Sequence, residues 1–156
     1  MTASVHRATS GDLDTLVPLF DAYRGFYEQS SDTELARDFL AARLQGGESV
    51  IFLATLDDGA LDDGAPAGFT QLYPTFSSVR AARVWVLNDL FVAPRARKRG
   101  VARALLDAAA TFARDDGAIR LELETTPENN TAQSLYRAAG WHEYDGTLRF
   151  HLPLVD

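Results

Sequence analysis

The chain has 156 residues, 46% of them hydrophobic and 24% charged, with a net charge of -7. That is the size and balance of one globular domain with a real core, and the acidic excess argues against a general nucleic-acid binder. There is no cysteine, and His6, His142 and His151 show no ligand spacing. Disulfides and cysteine nucleophiles are therefore excluded, and no metal site is expected.

Along the chain, residues 4–8 predict a first strand. Thr9 or Ser10 can cap a helix in which Leu13, Leu16, Val17 and Phe20 recur at helical spacing. Pro18 falls inside that pattern and predicts a kink or a late start. A second helix is predicted from about Asp32, with Leu35, Phe39, Leu40 and Leu44 as its apolar stripe and Gly46-Gly47 as its stop. Residues 50–56, 68–73 and 84–92 are compact apolar runs with strand character. Between the first two lies DDGALDDGAP, residues 57–66, read as an exposed, mobile hairpin loop.

The second half alternates. Residues 101–113 predict a helix with Val101, Leu105, Leu106, Ala109 and Phe112 on one side, ended by Gly117. A strand over 119–125 and a helix over 129–139, stopped by Gly140, follow. Residues 141–144 and 147–152 predict a closing hairpin about Asp145-Gly146. This order implies a parallel pairing at the centre of a mixed sheet, an α/β (α+β) fold within a single domain spanning 1–156. Residues 1–10 do not read as a signal peptide, and no apolar run approaches the roughly 20 residues that cross a bilayer. The expectation is a cytoplasmic protein with neither membrane nor nucleic acid as partner.

Arg95, Arg97, Lys98, Arg99 and Arg103 place five of the 15 basic residues in one short window. They sit where a strand gives way to a helix, at the end whose dipole disfavours positive charge. An anion bound there explains the clustering. A helix N-terminus offers unpaired N–H groups to a phosphate. Gly100 can take backbone angles closed to other residues, and Ala102 is small enough for close approach.

This turn is neither a Walker A loop nor a dinucleotide fingerprint. Arg97, Gly100 and Ala102 match the [QR]-x-x-G-x-[GA] signature of the GNAT N-acetyltransferase superfamily. Asn88-Asp89-Leu90-Phe91-Val92 followed by Pro94 resembles that family's central strand. Asn129, Ala132, Leu135 and Tyr136, closed by Gly140-Trp141, resemble its second signature. The resemblance is firm over 84–141 and loosely favours diamine- and polyamine-acetylating members. It implies a mixed sheet whose central parallel strands splay, flanked by helices, and it implies acetyl-CoA as cosubstrate. Backbone groups of Leu90, Phe91 and Val92 would pair with the pantetheine arm. The backbone of Arg97, Lys98, Arg99, Gly100, Val101, Ala102 and Arg103 would hold the pyrophosphate. Asn129 would hydrogen-bond the arm, Ala132 would leave room for it, and Tyr136 would give a proton to the departing thiolate. Asn129 and Tyr136 are close to two helical turns apart and share one face. A phenol of pKa about 10 is protonated at neutral pH.

The acceptor must be a neutral amine, yet a primary amine is unprotonated in only about one molecule in a few thousand at pH 7. A carboxylate can take that proton. Asp89, Glu122 and Glu124 are the candidates, with Glu122 read as a solvated or ion-paired strand residue and Asp89 and Glu124 ranked equal. Polyamine-acetylating members often carry glutamate where this chain has Asn88, which cannot act as a base. Tyr23, Phe26, Tyr27, Glu28, Tyr73, Phe76 and Trp85 are the candidate acceptor walls. Tyr27, Glu28, Tyr73 and Asn88 are the contacts taken forward. The expected activity is acetyl transfer to a small-molecule or peptide amine by direct attack. A non-catalytic acyl-CoA sensor of the same fold is the alternative. Similar proteins often pair, so a homodimer is an admissible assembly.

Overall fold

The computed structural model describes residues 2–57 and 65–156. They form two compact units, Met1–Glu124 and Thr125–Asp156. The first carries a five-stranded sheet in the order β1-β2-β3-β4-β5. Its strands are β1 Thr2–Arg7, β2 Val50–Asp57, β3 Ala65–Ser77, β4 Ala82–Val92 and β5 Arg120–Glu122. The first four pair antiparallel, and β4 pairs parallel with β5. Its helices are α1 Leu13–Phe26, α2 Thr33–Gln45 and α3 Val101–Asp115. The loop expected over 57–66 lies largely outside the described residues. The hairpin it closes is present, because β2 and β3 pair antiparallel.

Thr9 closes a capping box with Asp12 over a single 3₁₀ turn, and α1 proper begins only at Leu13. The helix then runs through Pro18, so the proline is met by a late start. In α2 the stripe expected from Leu35 is displaced. Ala36 and Leu40 are buried, whereas Leu35 and Phe39 are exposed. Phe39 stacks on Phe20 and carries the Arg43 guanidinium over its ring, so its contacts are aromatic.

The sheet has two distinct faces. On one, Phe69 and Phe91 meet Tyr23 of α1. On the other, Phe52 and Trp85 meet Phe112 of α3. Side chains alternate between these faces along each strand until β4 reaches Asn88. There the register steps from Leu72↔Leu87 to Gln71↔Asp89, leaving Asn88 as an extra residue. This β-bulge re-aims everything after it. Asp89 consequently lands on the Phe69–Phe91 face.

Gly68 is fixed by close approach. A methyl group added there would press on the Phe91 carbonyl oxygen and lie 3.2 Å from Val92 Cα. Both are backbone of the paired strand and cannot rotate away. Gly68→Ala is expected to cost about 2 kcal/mol of stability, within the range of overpacking substitutions. Urea unfolding would read it as a lower midpoint with an unchanged slope.

The ladder between β4 and β5 covers only Val84–Val86 with Arg120–Glu122, and β4 runs on to Val92 beyond it. The pairing stops where β5 ends, and residues 87–92 of β4 have no partner strand on that side among the described residues. The strand expected over 119–125 is thus only three residues long.

In the second unit, α4 Asn130–Ala138 is capped by Asn129, whose side chain accepts the Ala132 N–H at 3.1 Å. Gly140 follows with φ of 92°. The closing hairpin expected over 141–152 is not formed, because residues 141–156 hold no strand. Gly146 does adopt the left-handed angle of a turn, φ 79°. A two-stranded hairpin is only marginally stable by itself. Among the described residues, no helix is long and apolar enough to cross a membrane.

Candidate active site

The basic turn between β4 and α3 is built largely from backbone. Pro94–Ala96 forms one 3₁₀ turn, and Arg97 is extended with φ -68° and ψ 154°. Lys98 and Gly100 then take positive φ, 61° and 78°. Glycine does so freely, while lysine is strained there by about 1 kcal/mol, so the surrounding turn over-determines it. Gly100 caps α3 without any side-chain hydrogen bond, and no acid lies in the first turn. The helix's own ladder begins with Ala104 N–H to Gly100 O at 3.0 Å. The N–H groups of Val101 and Ala102 precede that ladder and point out of the helix start. Several of the basic side chains are occupied. Arg95 donates to the Pro66 carbonyl, Arg97 to the Val92 carbonyl at 3.3 Å, and Arg103 to Asp107 at 3.0 Å. The arginines at 95 and 97 thus brace the turn, and main-chain N–H groups are left at the helix start.

On the other side of β4, Asp89 is only 3% exposed. Tyr23 Oη donates to its Oδ1 at 2.9 Å, Asn88 Nδ2 to the same oxygen at 2.9 Å, and Gln71 Nε2 to Oδ2 at 2.5 Å. The Asp89 backbone carbonyl accepts from Thr70 Oγ1 at 2.8 Å. Among the described residues, no cation pairs with the carboxylate. A buried charge held only by neutral donors keeps a large desolvation cost, which a cationic ligand would offset. Around it the aromatic residues Tyr23, Tyr27, Phe69 and Phe91 make edge contacts with ring centres 5.2 to 6.2 Å apart.

Tyr73 lies close enough to feel the Asp89 charge. Burial, then that charge, push its phenol up to about 12, while Arg43 works weakly the other way. Burial and Asp89 raise the Tyr23 phenol too. An unfolded Tyr73 loses its proton near 10.0, whereas the folded one still holds it. Its stabilising contribution is therefore complete below about pH 10 and is lost as pH rises toward 12. Melting temperature is expected to fall across that window, and less steeply in Tyr73→Phe.

Comparison with known proteins bears out the family resemblance of the matched motifs. The acetyltransferase (GNAT) family model matches residues 16–141. The chain belongs to the GNAT acetyltransferase family. An uncharacterised N-acetyltransferase of Bacillus subtilis (strain 168), YhfO, is 44% identical over 149 residues, 96% of each chain. An aminoglycoside N(6')-acetyltransferase type 1 of Stenotrophomonas maltophilia is 29% identical over 74% of each chain. The crystal structure of a probable acetyltransferase has a TM-score of 0.90 at 42% identity, over 98% of this chain and 99% of that one. As a GNAT enzyme the chain uses acetyl-CoA and transfers its acetyl group to an amine.

The turn fits a pyrophosphate on its own geometry. Positive-φ residues at 98 and 100 precede an N-terminus that no side chain caps. Beyond Val86, β4 runs past the β5 ladder with Leu90, Phe91 and Val92, the stretch that resembles the pantetheine-pairing strand. Of the candidate acceptor walls, Tyr23 and Tyr73 gather at Asp89, and Asn88 joins them through its amide. Phe26 and Tyr27 are exposed at the end of α1. Glu28 follows with φ of 65°, donating its N–H to Gly25 O at 3.0 Å while Gln29 reaches Arg24 O at 3.0 Å. This is a Schellman closure with glutamate where glycine is usual. Trp85 does not belong to the group, because it is buried on the α3 face with its Nε1 donating to Asp116 at 2.8 Å.

The two carboxylates ranked equal by sequence differ sharply. Glu124 is exposed and lies past the end of β5. Glu122 accepts from Arg120 Nε at 2.7 Å, the ion pair its alternation implied. Sequence reading missed Gln71 and Thr70. Their signal was a polar pair inside an otherwise apolar run, both wholly buried. Asn129, Ala132 and Tyr136 lie in the second unit. Asn129 spends its carbonyl oxygen on the cap, and the Tyr136 ring sits 6.1 Å from that of Trp141.

Proposed function

We propose that this GNAT enzyme acetylates a primary amine of a cationic small molecule by direct attack, with Asp89 as the carboxylate that handles the amine. The observation carrying this reading is the buried Asp89, held by three neutral donors and paired with no described cation. Tyr27, Glu28, Tyr73 and Asn88 lie on the acceptor side. Aromatic rings beside acids suit an ammonium group. Relatives named aminoglycoside N(6')-acetyltransferases favour a small-molecule acceptor, and the lack of cysteine favours attack without a thioester on the protein.

Acetyl-CoA supplies the acetyl group and the thiolate that leaves. Backbone N–H groups of Arg97, Lys98, Arg99, Gly100, Val101, Ala102 and Arg103 hold its pyrophosphate. Leu90, Phe91 and Val92 hold the arm, with Asn129 and Ala132 beside it. Asp89 takes the proton from the acceptor nitrogen, and Tyr136 gives its own to the departing sulfur. The family match runs across both units, which supports reading them as one catalytic domain; we place it in the cytoplasm. A thiol-release screen with acetyl-CoA against spermidine, lysine, sisomicin and an alanine-initiated peptide tests the proposal. The chain contributes no thiol background. One of the small amines is expected to release thiol and the peptide is not. Tight CoA binding with no turnover on any amine would instead support the acyl-CoA sensor.

A further inference from the structure

Asp89 has about four lone-pair sites, and their occupation is uneven. Oδ1 takes two donors, Tyr23 and Asn88, while Oδ2 takes only Gln71. The remaining site is on Oδ2, so whatever fixes Oδ1 decides where Oδ2 is presented. The two donors to Oδ1 are not equivalent. Asn88 is an exposed bulge residue. Tyr23 is clamped by Phe20, Tyr27, Phe69 and Phe91, with ring centres 5.2 to 6.2 Å away. Its hydroxyl therefore has one place to be. It also bridges 66 residues of sequence, joining the end of α1 that bears Tyr27 and Glu28 to the strand just after the bulge.

We propose that Tyr23 is a positioning residue for acetyl transfer, acting through Asp89 by pinning Oδ1 so that Oδ2 faces the acceptor nitrogen. This rests on reading Asp89 as the amine-handling carboxylate. Without the hydroxyl, the carboxylate keeps one donor per oxygen and gains freedom about its terminal torsion, which is intrinsically broad.

The test is Tyr23→Phe, which keeps the ring contacts and removes one O–H. The assay uses whichever amine of the screen turns over fastest. kcat/KM for that amine is expected to fall about 10- to 100-fold, the size of one hydrogen bond to a charged group. KM for acetyl-CoA should be unchanged. In an Asp89→Asn background, Tyr23→Phe should have little further effect, since coupled residues are not additive. Phe112→Leu, on the α3 face against Phe52 and Trp85, serves as the packing control, loosening the core away from the clamp and the hydroxyl. It should lower the melting temperature and spare kcat/KM. Parent-like kcat/KM in Tyr23→Phe overturns the proposal. So does an undiminished loss in the Asp89→Asn background, or an equal loss in Phe112→Leu. If Asp89→Asn itself turns over like the parent, the Asp89 assignment falls and Tyr23 with it. An impaired Asp89→Asn beside a parent-like Tyr23→Phe sinks the Tyr23 role alone.

Discussion

Tyr136→Phe is expected to lower kcat about 100-fold, near the lower end of what a positioned general acid contributes, while acetyl-CoA affinity stays close to that of the parent. The substitution removes only an O–H. The ring, set 6.1 Å from Trp141 on the last turns of α4, keeps its packing, so a collapsed helix would not be the cause of the loss. A thiolate that departs without a proton is a poorer leaving group at neutral pH, and the cost falls on the transition state alone. Steady-state thiol release should therefore show kcat and kcat/KM falling together. Unchanged turnover would remove Tyr136 from the chemistry.

Asp89→Asn carries the other large effect, a drop in kcat/KM of about 100-fold for the amine, with stability near that of the parent. The second half of this expectation follows from the network. Gln71 Nε2 faces the carboxylate, and Gln71 Oε1 is buried with no partner among the described residues. An amide at position 89 can turn its N–H toward Gln71, whose own amide flips to present Oε1. The flip leaves Nε2 where Oε1 was, so the hydrogen-bond count is unchanged, while a buried charge is gone, which favours the fold. Lost activity in a protein that melts like the parent is the combined result to look for. Loss of both together would mean the carboxylate is chiefly structural.

What was legible in the sequence follows from how local its signals are. The basic turn before α3 and the capped helix α4 are short contiguous patterns, in which Gly100 and Asn129 report their own backbone. They are found where the motifs placed them. Facing was less legible. Trp85, a candidate acceptor wall, lies under α3, and with Asn88 bulged out it faces away from Asp89. The stripe of α2 slipped from Leu35 to Ala36. Aromatic stacking on Phe39 outweighed the apolar periodicity. Partnership was not legible at all. Nothing in the local sequence says that Tyr23, Gln71 and Asp89 meet, since strand register and helix packing bring them together from separate elements. The hairpin expected after Gly140 had turn chemistry, but a two-stranded hairpin is marginal by itself.

The bulge at Asn88 also works as a counter. Upstream of it, Val86 opposes Tyr73 on the α1 face; downstream, Asp89 opposes Gln71 on that same face. Without a bulge, the three steps from Val86 to Asp89 would turn the carboxylate toward Thr70, Leu72 and α3, where it would be stranded among apolar groups. A chain lacking Asn88 needs no bulge, because two steps already return Asp89 to the face of Val86. In a library of length variants, loss of Asn88 should therefore be the single deletion within 84–92 that leaves the sheet intact. An alignment of relatives that opens a gap at this point keeps the carboxylate in its place.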